Sequence, residues 1–249
     1  MSGVMLVTGG SRGIGAATAV LAAHKGYDVC VNYVRDAAAA EAVVAKIRAA
    51  GRRGLAVQAD VGSEPDIERM FQAVDRQLGR VSVLVNNAAF VGTGRRRVEA
   101  MRAETVNRLL AANVTGAIVC AREAILRMST RHGGPGGAIV NVSSASARIG
   151  APNLWIDYAA SKGAVDTFTI GLAQEVAAEG IRVNAVRPGL IDTEIHASTG
   201  MPDRVQKAQK MIPMKRAGTA QEVAEAIVWL ASPAASYISG AIIDVAGGR

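Results

Sequence analysis

The chain has 249 residues, of which half are hydrophobic and only 4% aromatic, and its formal net charge is +7. This length suits one α/β domain with a large core, and no uninterrupted run reaches the roughly 18 apolar residues that a membrane span requires. Cys30 and Cys120 are too few for a disulfide framework and read as reduced core thiols, while His24, His132 and His196 are too scattered to suggest a metal site.

Short apolar runs predict strands at Val4–Thr8, Asp28–Tyr33, Leu55–Ala59, Val81–Asn86, Ala138–Ser143, Ile181–Arg187 and Ala241–Val245. Helical patterns lie between them at Ile14–Lys25, Ala37–Ala50, Pro65–Leu78, Thr105–Arg131, Asp157–Glu179 and Ala220–Ala231. In Ser63-Glu64-Pro65-Asp66, a serine cap, an early proline and first-turn acids mark a helix start. The strands are rich in Val, Ile and Leu, as expected when both faces are buried. Strict alternation of strand and helix predicts right-handed crossovers and a doubly wound parallel sheet of about seven strands, with helices on both faces. No linker or repeat interrupts the pattern, so residues 1–249 are read as one domain. The glycine-rich stretch from His132 to Gly137 is short enough to be a helix-to-strand connection.

The first ten residues lack a basic segment followed by a long apolar stretch, so a cytoplasmic protein is expected. The positive charge would suit an acidic or phosphorylated partner. Arg95-Arg96-Arg97 is the only dense basic run and reads as a solvated surface. No aromatic residues interleave with the basic ones, which argues against nucleic-acid binding.

Thr8-Gly9-Gly10-Ser11-Arg12-Gly13-Ile14-Gly15 joins the first strand to the first helix. Glycines there let the backbone approach a pyrophosphate at the positive helix terminus, so Gly9, Ser11, Arg12, Gly13 and Ile14 are candidate contacts of a dinucleotide in a Rossmann-type fold. The second strand ends Asn32-Tyr33-Val34-Arg35, with Arg35 where an NAD-selective site would usually place an acid. Arg12 and Arg35 could converge on a 2′-phosphate, with Asn32 adding a hydrogen bond, so NADP(H) is favoured over NAD(H). Asp36 is read as the cap of the following helix. Far downstream, Tyr158 and Lys162 are four residues apart and share one helix face. An ammonium beside a phenol lowers its pKa, which would make Tyr158 a general acid/base for carbonyl and alcohol chemistry.

With these motifs in this order, the chain resembles the short-chain dehydrogenases/reductases over essentially its whole length, from Val4 to Gly248. The resemblance implies that Asp60 and Val61 hold the adenine, and that Asn86-Asn87-Ala88-Ala89 borders the cofactor, with Ala89 where glycine is usual. It matches Asn113 and Ser144 to catalytic positions beside Tyr158 and Lys162. It also matches Pro188, Gly189, Ile191 and Thr193 to the segment along the nicotinamide. The implied mechanism has Tyr158 exchange a proton with the substrate oxygen while Ser144 orients that oxygen. Lys162 would depress the phenol pKa and bond the nicotinamide ribose, and Asn113 would hold a water leading from Lys162 to solvent. A homotetramer packed through Thr105–Arg131 and Asp157–Glu179 is also implied.

The likeness extends to the subgroup of 3-oxoacyl-carrier-protein reductases and glucose 1-dehydrogenases, and to uncharacterised bacterial oxidoreductases within it. The substrate is therefore a small carbonyl or alcohol, with a carrier-protein-linked acyl group, a sugar, a steroid or a xenobiotic all open. Residues 190–213 are expected to form a substrate loop lined by His196, Met201, Met211 and Ile212, facing a wall of Ser146, Arg148, Leu154 and Trp155. A catalytically silent regulatory or scaffold protein of the same fold is the alternative; its mark would be a broken catalytic set, and the set here is intact.

Overall fold

The computed structural model describes residues 3–92, 94–194, 200–201 and 203–249. Seven strands form the main sheet: β1 (Val4–Val7), β2 (Asp28–Tyr33), β3 (Gly54–Gln58), β4 (Val81–Asn86), β5 (Gly137–Val142), β6 (Ile181–Pro188) and β9 (Ile242–Val245). Their order is β3-β2-β1-β4-β5-β6-β9, and every neighbouring pair is parallel. The chain steps outward from β1 to β3, then crosses back to β4 and steps outward the other way. Loops therefore diverge between β1 and β4 and open a crevice at the carboxyl edge.

Pleating sends successive side chains to opposite faces. Met5 and Val7 join the core beneath α1 (Gly13–His24) and α2 (Ala37–Ala49), which also includes Val223 and Ile227 from α9 (Ala220–Ala231). Val4 and Leu6 join the opposite core beneath α3 (Glu64–Gln77), α5 (Gly116–Met128) and α7 (Ile156–Val176). Cys30 and Cys120 lie in the interior as free thiols, and burial pushes the Cys120 thiol up to about 12.

Several details depart from the sequence expectation. The helix expected at Thr105–Arg131 is divided into α4 (Ala103–Leu110), a π-helical turn (Ala111–Thr115) and α5. At this junction the helix presses on the loop after β3; a Cβ on Gly116 would lie 2.3 Å from the Val61 carbonyl oxygen. Such widened turns recur at functional sites. The continuous span Ala103–Met128 is also long and apolar enough to cross a membrane by length and composition, contrary to the reading above. Its Val119, Cys120, Ala121, Ala124 and Met128 are nevertheless packed in the core beside β4 and α3. Ser63 occupies the cap position of α3, but its side chain does not cap; Asp66 accepts from the Asp60 amide and the Ser63 hydroxyl instead. Among the short elements not anticipated are α6 (Ser146–Ile149), α8 (Arg204–Ala208) and a two-residue pairing of β7 (Ile191–Asp192) with β8 (Gly218–Thr219), which joins the start of the substrate segment to the chain just beyond its end.

Candidate active site

The loop from β1 to α1 is held from both sides of the crevice. Thr8 Oγ1 accepts from the amides of Asn87 and Ala88, each at 3.0 Å, and Asn87 Nδ2 donates to the carbonyls of Thr8 (2.8 Å) and Gly9 (3.0 Å). From the other side, Asn32 Oδ1 accepts from the Gly9 amide at 3.1 Å. The Asn32 amide donates to the Ala59 carbonyl at 2.9 Å, and the residue is fully buried. Its polar atoms are therefore spent on the protein, and the expected bond from Asn32 to a cofactor phosphate is replaced by a bracing role. Gly15 leaves no room for a side chain: a Cβ there would lie 2.4 Å from the Gly9 carbonyl oxygen.

Arg12 is the N-cap residue of α1 but supplies no side-chain cap, so the first-turn amides keep the anion-seeking character of a helix start. Thr193 lies over the same loop, with its Cγ2 3.5 Å from where a Gly13 Cβ would stand. Pro188 ends β6, Gly189 donates its amide to the Val245 carbonyl, and Ile191 is buried in β7. Ser11 and Ile14 are partly buried at the loop's tip, as is Tyr33 at the end of β2. Arg12 and Arg35 are exposed beside them and make no side-chain hydrogen bond or ion pair among the described residues. Asp36 accepts from the Ala39 amide at 2.9 Å and caps α2, so its carboxylate is committed to the helix. Asp60, exposed at the carboxyl end of β3, accepts from the Gly62 amide, and Val61 beside it is buried. Ala89 is exposed and has no positive φ, so its methyl group adds no backbone strain. This narrow, amide-lined cradle fits a dinucleotide.

The proton-transfer groups stand at the same sheet edge. Ser143 and Ser144 follow β5, and α7 brings Tyr158 and Lys162 opposite them, one helical turn apart. The Ser144 hydroxyl lies beside the Tyr158 phenol, where it favours the ionised form. Lys162 Nζ donates to the Val142 carbonyl at 2.6 Å and lies 5.7 Å from the centre of the Tyr158 ring. The expected depression of the phenol by Lys162 is not found. Burial dominates and pushes Tyr158 up to about 12, opposed by the Ser144 hydroxyl and the charge of Arg204. Burial also lowers Lys162 to about 8, against the pull of Asp166. The phenol therefore holds its proton at neutral pH.

Asn113 sits in the π-helical turn, with its side chain clasped to the Phe90 backbone in both directions (2.7 and 2.9 Å) and to Ser161 Oγ at 3.1 Å. Its amide group is thus committed to joining the loop after β4 to α7.

Two ion pairs around α7 were not anticipated. Arg96, from the run read as solvated, turns inward and donates to the Val91 carbonyl and to both carboxylate oxygens of Asp157. Asp157 in turn accepts from the Tyr158 amide at 2.9 Å. Only the position of Asp157 before Tyr158 hinted at this pairing. Arg96→Leu is expected to cost about 2 kcal/mol, less than the ~3–5 kcal/mol of a fully buried pair because Arg96 keeps some exposure. Chemical denaturation of the two proteins measures the difference.

Further along α7, one turn after Lys162, buried Asp166 pairs with Arg187 at 2.8 Å. Because a carboxylate favours the charged form of a neighbouring amine, Asp166→Asn should lower Lys162 further below its value of about 8. A side-chain NMR titration of Lys162 should therefore move to lower pH by about one unit, and an upward move would contradict the assignment.

Of the expected substrate-loop residues, Met201 is partly buried and Met211 is 68% exposed. Ile212 lines a cavity of about 240 Å³ with Leu190, Met214 and Gly247, apart from Tyr158. His196 lies outside the described residues. In the facing wall Trp155 is buried and Leu154 and Ser146 are partly so, while Arg148 points to Asp244 at 2.7 Å. Among the described residues no cluster of three or more His, Cys, Asp or Glu could hold a metal ion.

Open parallel sheets bind their ligands where the strand order reverses, and here a phosphate-type loop and a hydroxyl pair backed by an ammonium meet at that edge. That layout belongs to the Rossmann-type oxidoreductases. Residues 9–249 match the family profile described as enoyl-(acyl carrier protein) reductase. The chain is 54% identical to the uncharacterised oxidoreductase YgfF of Escherichia coli, with 99% of each chain covered. It is 37% identical to a Synechocystis 3-oxoacyl-[acyl-carrier-protein] reductase, covering 98% of this chain and 96% of the relative. A short-chain dehydrogenase from Burkholderia cenocepacia, solved in complex with NADP, superposes with a TM-score of 0.88 at 34% identity, covering 98% of this chain and 96% of that one. The chain belongs to the short-chain dehydrogenase/reductase family.

Proposed function

We propose that the protein is an NADP(H)-dependent oxidoreductase that interconverts a carbonyl and a secondary alcohol, with Asn113, Ser144, Tyr158 and Lys162 as its catalytic set. The observation that carries this reading is the Ser144–Tyr158 hydroxyl pair, backed by Lys162, at the same sheet edge as the glycine loop. Gly9, Ser11, Arg12, Gly13 and Ile14 would cradle the pyrophosphate, and Asp60, Val61, Asn87 and Ala88 would border the adenosine half. Tyr33 would flank the ribose that Arg12 and Arg35 select by its phosphate. Pro188, Gly189, Ile191 and Thr193 would lie along the nicotinamide, and Lys162 would bond its ribose.

When bound, the nicotinamide supplies the hydride for the carbonyl carbon or accepts it from the alcohol. In reduction, Tyr158 gives its phenolic proton to the carbonyl oxygen, and Ser144 holds that oxygen with a second hydrogen bond. The raised pKa of the phenol suits this direction, because the donor is loaded at neutral pH. Lys162 stabilises the phenolate left behind, and its proton supply runs past Asn113. In oxidation the proton moves the other way. The substrate is a small carbonyl or alcohol, with a carrier-protein-linked acyl chain among the candidates on account of the relatives' names and the basic surface. Exposed Leu110, Ile118, Leu126 and Ile170 on α4, α5 and α7 support a homotetramer packed through those helices, and the protein is placed in the cytoplasm.

A panel of carbonyl compounds, including an acyl-carrier thioester and simple sugars, tests the reading by loss of NADPH absorbance. Tight NADPH binding with no turnover of any compound would overturn it in favour of a regulatory or scaffold role.

A further inference from the structure

One charged group beside the phenol has no part in the chemistry above. Arg204, on α8, lays its guanidinium over the Trp155 ring, 4.2 Å from its centre. Trp155 is buried, donates its Nε1 proton to the Gly94 carbonyl at 2.9 Å, and meets the Tyr158 ring edge-on with centres 6.4 Å apart. Guanidinium, indole and phenol thus form a continuous row of contacts leading from the substrate segment to the proton donor, and the charge of Arg204 is felt at Tyr158.

Among the described residues no acid neutralises this arginine. Its Nη1 is buried and has no hydrogen-bond partner among the described residues. The charges that act on it besides Tyr158 are those of Arg249 and Arg95, both repulsive. Asp157, which precedes Tyr158, and Asp244 are each held by another arginine, Arg96 and Arg148 respectively. A partly desolvated guanidinium with an unused buried donor and two cationic neighbours is costly for a resting protein. Stacking on an indole compensates only in part, and it leaves the in-plane N–H groups free for a planar or tetrahedral oxyanion. The missing partner is therefore an anion that arrives with the ligand.

Resting on the carbonyl-reductase reading, we propose that Arg204 is a substrate-anion receptor: the physiological substrate carries an oxyanion, a carboxylate or a phosphate, that pairs with Arg204 while its carbonyl meets Ser144 and Tyr158. Trp155 acts as the platform that holds the guanidinium at a fixed distance from the reacting carbon. Neutral sugars, steroids and simple ketones are then poor substrates, and keto acids or phosphorylated carbonyl compounds are good ones.

The test uses the full chain with NADPH and matched pairs that differ only in charge. These are pyruvate, acetoacetate and levulinate against their methyl esters, and dihydroxyacetone phosphate against dihydroxyacetone. The keto acids and the phosphate separate the two sources of the oxyanion. At least one anion should exceed its neutral partner in kcat/KM by about tenfold or more, and Arg204→Met should reduce that ratio by about 10- to 100-fold, mainly through KM, the range of a lost charge-assisted hydrogen bond. Arg204→Lys should restore part of it. A neutral partner turned over as well as each anion, or equal losses for both in Arg204→Met, would overturn the proposal. If no compound is turned over, it is the reductase reading that fails, and binding still decides the receptor role. In a Trp229→Phe background, the same anions should quench Trp155 fluorescence, with affinity about tenfold weaker or worse in Arg204→Met. Quenching that is absent or independent of Arg204 would overturn the receptor itself.

Discussion

Tyr158→Phe is expected to lower kcat by roughly 10²–10⁴-fold, the usual contribution of a positioned general acid. NADPH affinity should stay close to that of the unaltered protein, because Tyr158 lies beside Ser144, after β5, and is not part of the glycine loop after β1. The substitution removes one hydroxyl and keeps the ring that meets Trp155 at 6.4 Å, so that contact and the fold should persist. The pH dependence sharpens the expectation. A donor raised to about 12 in the ligand-free protein is protonated throughout the neutral range. Reduction should therefore not decline between neutral and mildly alkaline pH for want of that proton. Lys162 is the group whose charge changes near pH 8, and it is present as the ammonium below that value and lost above it. Steady-state turnover and NADPH titration, each across pH, check both statements. A Phe variant with comparable kcat would remove Tyr158 from the chemistry.

The second large effect concerns the choice of dinucleotide. Replacing Arg12 and Arg35 together by alanine should weaken NADPH by roughly 10²–10³-fold, about tenfold or more for each charge-assisted contact with the 2′-phosphate. NADH, which lacks that phosphate, should be affected by no more than a fewfold. Two structural facts support this. Neither arginine has another side-chain partner among the described residues, and Asp36, the acid nearest the ribose position in sequence, is bonded to the Ala39 amide. Both arginines are exposed, so the NADPH advantage should shrink as salt rises. Equal losses for the two dinucleotides in a calorimetric comparison would refute the phosphate role.

What could be read without coordinates was whatever depends on residues close in sequence. The glycine loop is eight consecutive residues between a strand and a helix, and the Asp36 cap acts three residues away. The same locality made the alternating elements legible, and with them the sheet. The π-helical turn at Asn113 escaped because it arises from packing: Asn113 is clasped to Phe90, 23 residues earlier, and Gly116 presses on Val61. Asn32 was misassigned for a related reason. Its place near the end of β2 pointed toward a ligand, yet its side chain bonds the backbone of Gly9 in the loop after β1 and of Val57 and Ala59 at the end of β3.

The sequence by itself determined the class of fold, the dinucleotide loop, and the spacing that puts Tyr158 and Lys162 on one face of a helix, because each follows from periodicity along a single segment. The tertiary structure alone decided how those groups behave. A local rule lowers a phenol beside an ammonium, but here the Lys162 ammonium donates to the Val142 carbonyl, and the desolvation of Tyr158 by surrounding elements raises the phenol to about 12. It also decided which arginines face inward. Arg96 finds Asp157 across 61 residues and Arg204 finds Trp155, while Arg95 and Arg97 stay in solvent. Charge energies depend on what lies within a few ångströms and on how much water is excluded, and neither is written in the order of the chain.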